Sequence, residues 1–127
     1  MALEGEKYGI RVNCLAPTAA TRMLEGLMAQ DKLDALSPAA VSPALGALVG
    51  DDAPTRMVLC AGAGSFEAAH VTLTRGVHLG TGDDVVHELA ARLLDVAERR
   101  DETVPRSGAA QAELELAKAG PQLQEAA

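Results

Sequence analysis

The sequence has 127 residues, room for one domain, and although 48% of them are hydrophobic, 25 are alanine and there is one Phe, one Tyr and no Trp. So few large side chains give a small core and marginal stability. A formal net charge of −7 without a basic stripe argues against nucleic acid or an anionic membrane as partner; no apolar run is long enough to cross a bilayer, and the first residues lack a leader pattern, so a cytoplasmic chain is expected.

Taken in chain order, residues 2–8 read as the end of a helix that Gly9 caps. Residues 9–17 read as a strand closed by Pro17, with apolar residues on both faces, which suits a parallel strand covered by helices. Met23, Leu24, Leu27 and Met28 share one face of a short amphipathic turn or helix that Gly26 weakens. Asp31 is placed to cap another short helix containing Leu33 and Leu36. Ser37-Pro38 is a helix start, followed by a stripe of Val41, Leu45, Leu48 and Val49 and a cap at Gly50; Pro43 in the second turn predicts a kink or a true start nearer Ser42. Residues 55–61 read as a second buried strand, and residues 69–74 and 77–79 as a hairpin around Arg75-Gly76. Asp83 or Asp84 caps a helix over residues 85–100 with Val85, Leu89, Leu93 and Val96 as its stripe. After Asp101 large apolar residues nearly vanish, so the acidic, alanine-rich residues 101–127 are expected to be mostly disordered, with a transient helix near 109–118. The alternation of helix and strand is that of an open parallel sheet, and two parallel strands make only part of one.

Few residues suggest chemistry. Cys14 and Cys60 lie in strand-like segments without CxxC spacing and are expected to be buried, reduced thiols. Gly62 and Gly64 follow a strand, but Glu67 stands where a dinucleotide fingerprint needs Gly or Ala, and no helix follows to hold a pyrophosphate. A glycine turn explains them. His70, His78 and His87 have no metal-ligand spacing, and Asp51-Asp52 and Asp83-Asp84 are explained as helix-end acids.

The informative stretch is Ala2-Leu3-Glu4, then Gly9-Ile10-Arg11-Val12-Asn13-Cys14-Leu15-Ala16-Pro17, then Thr21-Arg22-Met23. It resembles the segment after the catalytic helix of short-chain dehydrogenases/reductases, and the likeness extends to about residue 80. Thr18 stands where the family usually has Gly, and the proline-to-methionine spacing is one residue short. This form is similar to the hydroxyacyl-CoA dehydrogenase region of multifunctional β-oxidation enzymes.

The resemblance implies an α/β fold, the C-terminal part of a Rossmann-like doubly wound parallel sheet with two parallel strands, covering helices and a small hairpin over residues 1–100; composition makes residues 101–127 a flexible tail. It implies that the loop of Pro17, Thr18, Ala19, Ala20 and Thr21 meets the nicotinamide half of NAD or NADP, with main-chain groups around Ala19-Ala20 at the carboxamide and Thr21 near the phosphates. Met23, Leu24, Leu27 and Met28 would form a substrate lid suited to an acyl chain, or would pack on the sheet. The family's glycine-rich loop, catalytic Ser and Tyr-x-x-x-Lys pair have no counterpart, and Val12 stands four residues after Tyr8 where Lys is required. The chain alone is therefore expected to be inactive and to hold no cofactor. Two readings follow: part of an NAD(P)-dependent oxidoreductase acting on a hydroxyl or keto group of an acyl-CoA-like substrate, or a non-catalytic module that self-associates or pairs with an intact paralogue.

Overall fold

The computed structural model describes residues 1–125. The chain forms two compact units, Met1–His70 and Val71–Ala127.

In the first unit, helix α1 (Ala2–Gly5) runs into a 3₁₀ turn (Glu6–Tyr8) that ends at Gly9 with φ 68°, the capped helix end that was predicted. Strand β1 is only Cys14–Pro17, shorter than the predicted 9–17. The residues before it are held by one backbone bond, from Arg56 N–H to the Val12 carbonyl at 2.9 Å, and by side chains. Arg11 donates to the carbonyls of Asp51 and Ala53, and Val12 N–H donates to the Thr55 hydroxyl. Asn13 donates through Nδ2 to the Pro54 carbonyl at 2.7 Å and accepts at Oδ1 from Met57 N–H at 3.0 Å. One amide thus fastens both sides of the loop that leads into β2 (Val58–Gly62).

Strands β1 and β2 pair in parallel, Leu15 opposite Leu59 and Pro17 opposite Ala61. The N–H groups of Cys14 and Thr18 donate to β2-side carbonyls, so the missing N–H of Pro17, out of phase with them, falls on the open edge and removes no bond. Strand β3 (Ser65–Ala69) then pairs antiparallel with β2 to complete a sheet of order β1-β2-β3. The hairpin turn is Ala63-Gly64, with φ 50° and 74°. Two consecutive positive φ values define the tight turn whose twist suits a hairpin. This corrects the hairpin predicted around Arg75-Gly76: the glycine turn noted after the second strand is itself the hairpin turn.

Between the parallel strands lie α2 (Gln30–Ala35), a 3₁₀ turn (Pro38–Ala40) and α3 (Ser42–Val49). Ser37 accepts from Ala39 N–H at 3.4 Å, and α3 begins at Ser42, as Pro43 required. Asp31 does not cap α2; it sits in the first turn, behind Ala29. The predicted stripe is half right. Val41, Ala44 and Leu48 are buried, whereas Leu45 and Val49 are 55% and 72% exposed. The core is Val41, Ala44 and Ala61, with Leu15, Ala19 and Leu59 packed on it. The opposite sheet face carries Cys14, which is exposed, and Cys60, which is half-buried, so the expectation of two buried thiols is corrected. Alternation along the strand puts them on the face away from α3.

In the second unit the predicted helix 85–100 is broken into α4 (Val85–Ala91) and α5 (Leu93–Val96). Arg92 between them has φ −113° and ψ 16°, outside helical geometry, and pairs with Glu88 at 3.7 Å and Asp95 at 3.1 Å. Asp84 is the N-cap residue but makes no side-chain cap bond. Of the predicted stripe, Val85 and Val96 are half-buried and Leu89 and Leu93 exposed. Residues 71–82 form no strand; Leu73 instead exchanges two backbone hydrogen bonds of 2.9 Å with Thr103. Helix α6 (Ala110–Glu125) occupies most of the stretch expected to be a disordered tail, and Lys118 donates to the Arg75 carbonyl at 2.9 Å.

Two predictions follow from these contacts. Asn13→Ala removes the partner of the Met57 N–H and the Pro54 carbonyl, and a loss of about 0.5–1.5 kcal/mol is expected in denaturant unfolding of the chain; an unchanged midpoint refutes the clamp. In the second unit Glu102 receives two hydrogen bonds of 2.8 Å from Arg99 and one of 3.1 Å from Thr72. The Arg99 guanidinium, with Thr72 adding less, holds the Glu102 carboxyl below its ordinary value. A lowered carboxylate stabilises above the unfolded-state value and loses that contribution as pH falls toward the folded-state value. The thermal-midpoint difference between the natural chain and Glu102→Gln should therefore be present at neutral pH and shrink in acid.

Candidate functional site

The site grows from the C-terminal end of β1, where the parallel pairing stops. Thr18 N–H donates to the Ala61 carbonyl at 2.8 Å, which carries the β1–β2 register one residue past Pro17. The loop presses so closely on β2 there that a Cβ on Gly62 would lie 2.9 Å from the Thr18 carbonyl oxygen. Two residues on, Ala20 N–H donates to the Leu36 carbonyl at 2.7 Å, tying the loop to the end of α2. Thr21 precedes a 3₁₀ turn (Arg22–Leu24) and accepts from Leu24 N–H at 2.9 Å. The loop is thus pinned at Thr18 and Ala20, while the N–H groups of Ala19 and Thr21 have no backbone acceptor among the described residues.

Those pinned residues flank an open pocket of about 730 Å³ whose wall comprises Ala20, Thr21, Arg22, Glu25, Gln30, Leu33, Asp34, Ser37 and Pro38. Gln30 Nε2 donates to Asp34 Oδ1 at 2.8 Å along one face of α2, so Asp34 is held in position. The wall carries one cation, Arg22, and two carboxylates, Glu25 and Asp34.

Of the five loop residues predicted from the sequence, Ala20 and Thr21 line the pocket; Pro17 ends β1, and Thr18 and Ala19 connect the two. Ala19 packs on the core. None of the four predicted lid residues lines the pocket. Met23 and Leu27 are 84% and 76% exposed, so they do not pack on the sheet either. The 3₁₀ turn ends at Leu24, and Gly26 at φ 80° turns the chain before Leu27, so the expected common face of Met23, Leu24, Leu27 and Met28 is split. Sequence reasoning missed Arg22, Glu25, Gln30 and Asp34. The only signal for them was the i,i+4 spacing of Gln30 and Asp34, which is commonplace on helices. Ser37 was recognised, but only as a cap.

No family model matches the chain. It is 33% identical over 99 residues to a short-chain type dehydrogenase/reductase of Mycobacterium tuberculosis, a match covering 77% of this chain and 34% of that protein. This chain is related to the short-chain dehydrogenases/reductases. A second relative, the peroxisomal hydratase-dehydrogenase-epimerase of Neurospora crassa, is 39% identical over 56 residues, 44% of this chain and 6% of that one. Among solved structures, full-length peroxisomal multifunctional enzyme type 2 from Drosophila melanogaster matches 98% of this chain and 22% of its own, with a TM-score of 0.68 at 18% identity. The fold is therefore that of part of a Rossmann-like α/β domain, with its parallel pair at β1–β2. The chain spans about a third of the length of the mycobacterial short-chain dehydrogenase relative.

Gly62 offers a direct test of how the loop is held. In Gly62→Ala the new methyl meets the Thr18 carbonyl and must push the loop off β2, an overpacking cost of about 1–3 kcal/mol. Faster hydrogen exchange at the Thr18 amide is the expected result; protection equal to that of the natural chain would show that the loop does not depend on this approach.

Proposed function

We propose that the chain supplies the nicotinamide side of the cofactor site, together with part of the substrate side, in an NAD(P)-dependent oxidoreductase of the short-chain type. The parent reaction is hydride transfer at a hydroxyl or keto group of an acyl-CoA-like substrate. The observation that carries this reading is the loop from Thr18 to Thr21. It leaves the C-terminal end of a parallel strand, where ligands of open α/β sheets bind, and is pinned so that Ala20 and Thr21 face a pocket. Relatedness to short-chain dehydrogenases supports the reaction class.

The residues present suit the nicotinamide half of such a cofactor. The Ala19 and Thr21 N–H groups, which lack backbone acceptors, the Thr21 hydroxyl and the Arg22 guanidinium are the donor types that a carboxamide and a phosphate require. When bound, the cofactor supplies or accepts the hydride. This chain's residues hold one end of it and line the space beside it. They include no Tyr-x-x-x-Lys pair to move a proton at the substrate oxygen, and no glycine-rich loop for the adenosine half. Met23 and Leu27, exposed next to the pocket turn, suit contact with an acyl chain.

A second reading has its own observation. An apolar groove of about 440 Å³ lies between α3 and the sheet, walled by Ala44, Ala47, Leu48, Met57, Leu59 and Phe66. Such a surface suits a non-catalytic module that self-associates or pairs with an intact paralogue.

The in-frame coding sequence upstream of the Met1 codon separates the two. A glycine-rich loop followed by Tyr-x-x-x-Lys without a stop is the outcome expected, and the encoded longer protein should then oxidise a 3-hydroxyacyl-CoA with NAD or NADP. A stop codon or unrelated sequence leaves association as the function. The 127-residue chain alone should show no micromolar binding of NADH in a fluorescence titration.

A further inference from the structure

We propose that the pocket at the end of β1 senses ligand charge, and that Glu25 and Asp34 make it favour the oxidised, cationic nicotinamide ring over the reduced, neutral one. This rests on the reading of the loop as the nicotinamide side of a cofactor site. The pocket wall is divided in charge. Arg22 stands beside Thr21, in the turn that follows the loop, while Glu25 lies past the end of that turn and Asp34 on α2. Arg22 and Glu25 are three residues apart, yet their side chains form no ion pair with each other among the described residues. Asp34 is not neutralised by a cation either; its partner is the Gln30 amide, which orients it and leaves its charge in place.

A wall with a free guanidinium and two carboxylates fits a ligand that is itself divided in charge. Oxidised nicotinamide mononucleotide is one, with an anionic phosphate and a cationic pyridinium; its reduced form keeps the phosphate and loses the ring charge. Arg22 therefore favours both forms, while the carboxylates oppose the phosphate of both and attract only the cationic ring. The pocket is open to solvent, so each carboxylate acts through a screened field and its effect is small. The preference falls with added salt, as a charge effect must and a shape effect need not.

The test is a titration of the intact 127-residue chain with oxidised and with reduced nicotinamide mononucleotide, followed by amide chemical shifts. The natural chain should bind both in the millimolar range, the oxidised form about 2- to 5-fold more tightly. In the double variant Glu25→Gln, Asp34→Asn that ratio should fall toward one, with the reduced form bound no more weakly than by the natural chain; Arg22→Gln should weaken both forms alike. Unperturbed amide spectra of the free variants establish that they fold. A ratio near one in the natural chain, or one that persists in the double variant, overturns the charge discrimination and leaves the nicotinamide reading intact. Binding of neither form overturns the charge discrimination, while the nicotinamide reading stands or falls on the upstream coding sequence.

Discussion

Two hydrogen bonds bracket the parallel pairing of β1 with β2: Cys14 N–H to the Met57 carbonyl at 2.8 Å, and Thr18 N–H to the Ala61 carbonyl at 2.8 Å. Nearly everything in the first unit depends on that register. It sets Leu15 opposite Leu59, so that both meet the buried Val41, Ala44 and Ala61. It also aims the chain leaving Pro17 toward the end of α2, where Ala20 is caught by Leu36. Asn13 guards the register at its entrance, since its amide bonds the residues before and after β2's approach. A parallel pair has no tight turn to hold it in phase, so side-chain clamps of this kind carry more weight than they do in a hairpin.

The same pairing explains why the core is so small. Alanine at positions 44 and 61 lets α3 approach the sheet closely, but alanines bury little area, and no larger side chain is fully buried among the described residues. Apolar side chains that a larger core would absorb remain on the surface: Leu45 and Val49 on α3, Phe66 on β3, and Cys14 on the uncovered sheet face. Parallel strands ordinarily sit inside sheets covered on both faces. The matching solved structure, a full-length multifunctional enzyme, is covered over 22% of its length.

The site divides into what composition and pattern reveal and what they hide. The end of β1 was legible because proline closes an apolar strand and ligands gather at such ends in open sheets. Ala20 and Thr21 do line the pocket. The common face expected of Met23, Leu24, Leu27 and Met28 is split because four apolar residues at helical spacing share a face only if the backbone is helical throughout, and Gly26 at φ 80° breaks it. Arg22, Glu25 and Asp34 could not be picked out in advance: exposed charges on short turns are ordinary, and only the folded path brings them around one cavity.

By itself the sequence determined the element types over most of the first unit, the helix starts at Ser37 and Ser42, the glycine turn after the second strand, and the kinship with short-chain dehydrogenases, because each is written in local chemistry: caps, prolines, alternation and a contiguous motif. Tertiary structure alone decided the rest. Which strand the turn at Ala63-Gly64 would serve depends on β3 finding β2, not on the turn itself. Residues 85–100 do not stay one helix: Arg92 leaves helical geometry at φ −113° and ψ 16°, and Leu89 and Leu93 of the apolar stripe are exposed. Which charges share a pocket depends on contacts between residues far apart in the chain, such as Ala20 with Leu36, whose energies no local pattern records.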